Sequence, residues 1–260
     1  MEEKNVTEQG KAALDLSQLR LFVADRIGPF FERLLRERRD VLALHVIGSA
    51  LTDDFVPERS DINSMVVLEE MDLDFLDLLG SLCREFRDNR IHPPMLMTPK
   101  YIEQRRDDSP VELLDIKLVN ALVYGKDLLS DIEIDRSRVR LQCQHELRNR
   151  LIMLSWGYVE AAGAKRELTE LLHDSVFGLA RLMRGILYAR GEDPPLTVGP
   201  LFDALSGLVG GVVLSFKEVY WMKLHDTKMP VSRVRAILKD YYRAIEILID
   251  VVDQIETPGS

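Results

Sequence analysis

A change of hydrophobic period near residue 130 constrains this chain more than any other feature. Before it, stretches with strand character alternate with stretches of helical spacing; after it, helical spacing runs to the end. Val139, Cys143, Leu147, Leu151, Leu154 and Tyr158 recur at steps of three or four, drawing one apolar stripe down a helix that ends near Gly163. Leu168, Leu172, Val176, Leu179, Met183 and Ile186 draw a second stripe, closing near Gly191 ahead of Pro194 and Pro195. Val234, Leu238, Tyr241, Ile245, Leu248, Val252 and Ile255 form a third at the spacing of a bundle seam. The spacing predicts an antiparallel bundle of four or five helices. Ile237, Ala244 and Val251 widen the last apolar face beyond what a two-helix contact needs, so either the bundle or a second copy of the chain covers it, and a homodimer is one expectation.

Upstream, residues 15–40 have helical spacing interrupted by Gly28-Pro29, which predicts a kinked helix or two short ones. Val41 to Ile47 and Ile62 to Leu68 are short, aliphatic and separated by a polar loop, as strands are. Leu73 to Phe86 returns to helical spacing; Met95 to Thr98 and Val111 to Tyr124 read as further strands. The expected organisation is α+β: a polar tail over 1–15, a mixed-sheet domain over 16–133 and an all-helical bundle over 134–257.

Composition narrows the function. With 46% hydrophobic and 30% charged residues the chain has ample material for a packed core. Its 34 basic and 43 acidic residues leave a net charge of −9, which argues against a long nucleic acid as partner. Cys83 and Cys143 are too few for a disulfide framework, and Met1-Glu2-Glu3-Lys4 lacks the basic and apolar regions of a signal peptide, so a cytoplasmic location is expected. No apolar stretch is long enough for a membrane span. His45, His92, His173 and His225 do not combine with the cysteines at zinc-ligand spacing.

The segment His45-Val46-Ile47-Gly48-Ser49, a polar stretch, and then Asp61-Ile62-Asn63-Ser64 is the most informative. A strand ending in Gly48-Ser49 lets the backbone approach a ligand closely and offers N–H groups and a hydroxyl, which suits a phosphate. Asp61 and Asn63 lie two apart on a strand, so they share a face and can converge on one ion. An apolar strand, Gly-Ser, about ten residues, then Asp-apolar-Asp or Glu is the mark of the polymerase-beta type of nucleotidyltransferase, which this segment resembles. The stretches Pro94 to Pro99 and Leu122 to Asp127, with the helical bundle behind them, are similar to bacterial members that include the aminoglycoside nucleotidyltransferases.

The resemblance implies Mg²⁺-dependent transfer of a nucleoside monophosphate from a nucleoside triphosphate to a small-molecule or protein acceptor. Gly48 and Ser49 would hold phosphates, and Asp61 with Asn63 would hold metal. A third carboxylate would come from Glu112 or Asp115, which on a strand would face opposite sides. The sequence departs from the family at Asn63, a neutral amide where a second carboxylate is usual, and Asp53 and Asp54 in the spacer are the acids available to compensate. Losing one charged group from such a site costs on the order of 10² to 10³ in rate. Transfer is therefore expected to be weakened or lost, and a nucleotide-binding or interaction module without turnover is the alternative. A remote alternative comes from Arg140 and His145, which superficially resemble the paired motif of HEPN-type helical ribonucleases but stand about 140° apart on a helix.

Overall fold

A computed structural model describes residues 13–176, 178–225 and 229–256. The expected N-terminal tail lies outside the described residues up to residue 12; Asp15, its last member, is tied down by an N–H bond to the Val123 carbonyl at 2.8 Å. The chain divides into two compact units, one made of residues up to 104 with 119–132, the other of 105–118 with the residues from 133 onward. Among the described residues no helix is long and apolar enough to cross a membrane.

The first unit is built on a four-stranded sheet of β1 (Val41–Ile47), β2 (Asn63–Leu68), β3 (Met95–Met97) and β4 (Asn120–Gly125). Its order is β3-β2-β1-β4, with β1 antiparallel to β2 and β4, and β3 parallel to β2. Leu44 and Val46 of β1, Val66 and Leu68 of β2 and Ala121 of β4 are buried in one core with helix α1 (Leu21–Glu37), α2 (Leu73–Ser81) and α3 (Cys83–Asp88). Alternation along the strands therefore sends one face to these helices and leaves His45, Ile47, Asn63, Met65 and Asn120 on the other. Helix α1 passes through Gly28-Pro29 without ending. A proline inside a helix costs about 3 kcal/mol, and the burial of Val23, Ile27, Phe30, Phe31 and Leu34 on one side outweighs it. Asp72 caps α2 by accepting the Phe75 N–H at 2.6 Å, and Arg38 joins that carboxylate to Asp40.

Helix α4 (Pro99–Asp108) leads into α5 (Pro110–Leu118), which packs with the second unit. The expectation that Val111 to Tyr124 forms only strands is thereby corrected: its first half is helical and only Asn120–Gly125 is β. The rest of the second unit comprises α6 (Arg136–Glu160), α7 (Lys165–Ser175), α8 (Leu179–Ala189), α9 (Val198–Val209), α10 (Val213–His225) and α11 (Val231–Asp253). Six helices thus follow residue 135 among the described residues, against the four or five expected. The stripe from Leu168 to Ile186 belongs to two helices, because Gly178 adopts a left-handed conformation at φ +68° that breaks it. Of the residues that widen the face of α11, Ile237 and Ala244 are buried within the chain and Val251 is half-buried. Tyr241 donates its hydroxyl to the Ser175 carbonyl at 2.9 Å and meets Phe216 edge-on at 5.2 Å.

Phe30 is fully buried and packs edge-on against Phe86 at 4.9 Å between ring centroids. Phe30→Ala is expected to cost about 3–5 kcal/mol, read as a lowered urea midpoint.

Candidate functional site

The last residue pair of the β1–β2 ladder joins Ile47 to Asn63, so the chain leaves β1 beside the point where β2 begins. It leaves through Gly48, at φ +74°, and winds into a short 3-10 turn over Gly48–Leu51. Only glycine takes that φ without strain. Two bonds fix the turn: the Gly48 N–H donates to the Val119 carbonyl and the Thr52 N–H to the Ser49 carbonyl, both at 2.9 Å. Gly48 faces Asn63, since a Cβ on it would stand 3.9 Å from Asn63 Nδ2. The Ser49 hydroxyl and the Asn63 amide bond to no other described residue. Ile62 is buried in the core between Asp61 and Asn63, which turns those two side chains to the opposite side. The structure therefore brings Gly48, Ser49, Asp61 and Asn63 to one pair of strand ends.

Asp61 is half-exposed and lies 3.9 Å from the Arg90 guanidinium. The segment carrying Arg90 runs alongside β2: the Ile62 N–H donates to the Arg90 carbonyl at 2.7 Å, and the His92 N–H donates to the Ile62 carbonyl at 2.9 Å. Arg90 adopts φ +52°, an unusual conformation for a residue with a side chain. A cavity of about 560 Å³ opens there, its lining including Asp61, Arg87, Asp88, Arg90 and His92. Sequence reasoning missed Arg87, Arg90 and His92; the pairing of Ile62 with Ile91 that delivers them has no local signal.

Met65 pairs with Met95 and Val67 with Met97, so β3 offers methionines on the side that Asn63 occupies. Glu112 and Asp115 are on helix α5, not on a strand, and the second unit engages both. Glu112 accepts from Arg105 and, at 3.1 Å, from Arg181; Asp115 accepts from Arg184 at 2.7 Å. The strand placement fails because Ser109-Pro110 starts a helix: proline at a first helical position costs nothing, its missing N–H having no partner there. Asp53, one of the spacer acids, pairs with Arg20.

His45, also missed as a site residue, is fully buried on the Asn63 face. Its Nδ1 lies 3.1 Å from Asn120 Oδ1, while its Nε2 is buried without a partner. Burial holds its pKa below the usual histidine value, against the opposing bond to Asn120. On α6, Arg140 donates to the Val252 carbonyl at 3.4 Å and His145 is exposed.

Among the described residues no three His, Cys, Asp or Glu side chains converge as a metal site. One carboxylate, one amide oxygen and one hydroxyl suit a single Mg²⁺ that keeps several waters and takes its other ligands from phosphate. They do not supply the negative charge that a pair of metals needs.

This α+β architecture, a small mixed sheet and a helical bundle, is nucleotidyltransferase-like in fold. Among solved structures the chain is similar to the spectinomycin adenyltransferase AAD(9) from Enterococcus faecialis, crystallised with ATP and spectinomycin. The two are 13% identical at a TM-score of 0.56, and the match covers 88% of this chain and 99% of that one. No family model matches the sequence, and no curated protein matches it either.

Two outcomes are expected. Below about pH 6.5 the unfolded chain protonates His45 while the folded chain resists, so stability falls as pH drops through that value. His45→Gln should flatten this dependence in urea titrations at successive pH values. Asp115→Ala leaves the Arg184 guanidinium without its carboxylate and should cost about 1.5–3 kcal/mol of stability, measured in the same way.

Proposed function

We propose that the chain binds a nucleoside triphosphate together with one Mg²⁺ at the β1–β2 strand ends, and that its nucleotidyl transfer is strongly attenuated. The observation that carries this reading is the left-handed turn at Gly48 facing Asn63 at the strand ends, with the Ser49 hydroxyl bonded to no other described residue and Asp61 on the same side as Asn63. Gly48 and Ser49 hold the phosphate tail. Asp61 and Asn63 hold the metal, which when bound offsets phosphate charge. Arg90 competes with that metal for Asp61 until the nucleotide arrives, and then meets the phosphates itself. ATP is the first nucleotide to test, because the adenyltransferase of similar fold was crystallised with it; the acceptor, if transfer persists, is a small molecule or a protein.

Attenuation follows from charge. The attacking and leaving oxygens of a phosphoryl transfer both need compensation, and Asn63 stands where the resemblance implies a second carboxylate. Each missing group costs on the order of 10² to 10³ in rate.

The test has two stages. ATP with Mg²⁺ at 100 times its dissociation constant should stabilise the chain by about 2.7 kcal/mol, read as a thermal shift that Ser49→Ala reduces and Asp61→Ala removes. Pyrophosphate release should be barely above background and should rise on Asn63→Asp. No thermal shift with any of the four nucleoside triphosphates would falsify the binding reading, and rapid turnover by the parent chain would end the claim of attenuation.

A further inference from the structure

A second cavity, of about 720 Å³, lies wholly within the helical unit, between the C-terminal half of α6 and the N-terminal half of α11. The two helices run antiparallel: Arg148 of α6 pairs with Asp253 at the far end of α11, whereas Ser155 lies 3.5 Å from the Tyr242 hydroxyl nearer its start. Beyond Ser155 the helices leave a groove. Its walls include Tyr158 and Val159 on one side, Tyr242 on the other, and Leu154 and Leu238 beneath. Val159 is 76% exposed and Tyr158 43%, so nothing in the described chain covers them.

The charge at the groove has one sign. Arg235 and Lys239 stand one helical turn apart on α11 and both line it. Neither pairs with a carboxylate among the described residues, and the lining contains no acidic side chain. In a chain with nine more acids than bases, an apolar groove edged by two unpaired cations and no acid has a definite polarity. The Arg235 guanidinium reaches across Gly163, where a Cβ would collide with it, and so stands over the groove's end at the α6 C-terminus.

We propose that this groove binds a small organic carboxylate with an apolar body, at a site separate from and independent of the nucleotide site. The volume falls within the range of about 300–1,000 Å³ that drug-sized ligands occupy. Arg235 and Lys239 take the carboxylate through charge-assisted bonds, the Tyr242 hydroxyl donates or accepts alongside them, and the body lies between Tyr158, Val159 and the floor leucines. A small molecule fits better than a helix of another protein, because the cations are confined to one turn of α11 and a single head group satisfies both.

The test uses the full chain and two probe acids, 2-naphthoate and dodecanoate, which separate a flat aromatic body from a flexible aliphatic one. Calorimetric titration should give saturable one-to-one binding of at least one acid, and the corresponding neutral alcohol should bind at least about tenfold more weakly. Arg235→Glu with Lys239→Glu should weaken the acid by about tenfold or more, and Ala236→Trp, which fills the groove without changing its charge, should abolish binding. These positions are exposed, so the variants should keep the parent's helical circular dichroism and its thermal response to ATP with Mg²⁺. Absence of saturable binding by either acid, or affinity unchanged by the charge reversal, overturns the proposal. Self-association in sedimentation that Ala236→Trp disrupts, with neither acid bound, overturns it in favour of a second copy of the chain as occupant.

Discussion

The antiparallel register that sets Ile47 against Asn63 is the constraint on which the candidate site depends. A slip of one residue would turn Asn63 and Asp61 toward the helix-covered face and expose Ile62. In this alignment Leu44, Val46, Val66 and Leu68 join the core shared with α1, α2 and α3, while Ile47, Asn63 and Met65 lie on the other face. Gly48 completes the arrangement, since its turn is anchored to the Val119 carbonyl at the start of β4. Three strand ends, far apart in the chain, meet here, because Ile47 pairs with Asn63 on one side and with Asn120 on the other.

What the register brings together is unusually neutral. Asp61 is the carboxylate at this end, Asn63 is an amide, and the neighbouring strand presents Met95 and Met97. On the same face burial lowers the pKa of His45, whose Nδ1 lies against Asn120. A sheet face so poor in fixed negative charge repels an incoming polyphosphate less than an acidic one does, and it also attracts fewer cations. On the proposed reading, such a face suits the holding of a nucleotide better than fast chemistry upon it.

Local pattern made much of this legible in advance. β1 and β2 follow from short aliphatic runs on either side of a polar loop, and α6 and α11 from long stripes at steps of three and four. Elsewhere two signals overlapped. Val111 to Tyr124 holds a nine-residue helix and a strand separated by a single residue, Val119, with no glycine between them, so the apolar positions read as one β segment. Ser109-Pro110 was the available cue for a helix start. Gly178 was likewise a visible interruption in a stripe continuous by spacing alone. The contacts of Asp61 with Arg90 and of His45 with Asn120 had no cue, because the latter pair is separated by 75 positions and only the assembled sheet unites them.

The detour of the chain through α5 has a consequence for how the protein is made. The backbone crosses into the helical unit at residue 105, returns at 119 to lay down β4 and departs again at 133. No single cleavage can separate the units as intact pieces. During synthesis the sheet can close as soon as residue 125 emerges, yet Val111, Leu113, Leu114 and Ile116 of α5 must wait for α6 and α8 before they are shielded. For some sixty residues of translation at roughly 5–20 residues per second, the nascent chain displays an apolar helix whose shelter has not yet been built. That interval is where a holding chaperone would find its target.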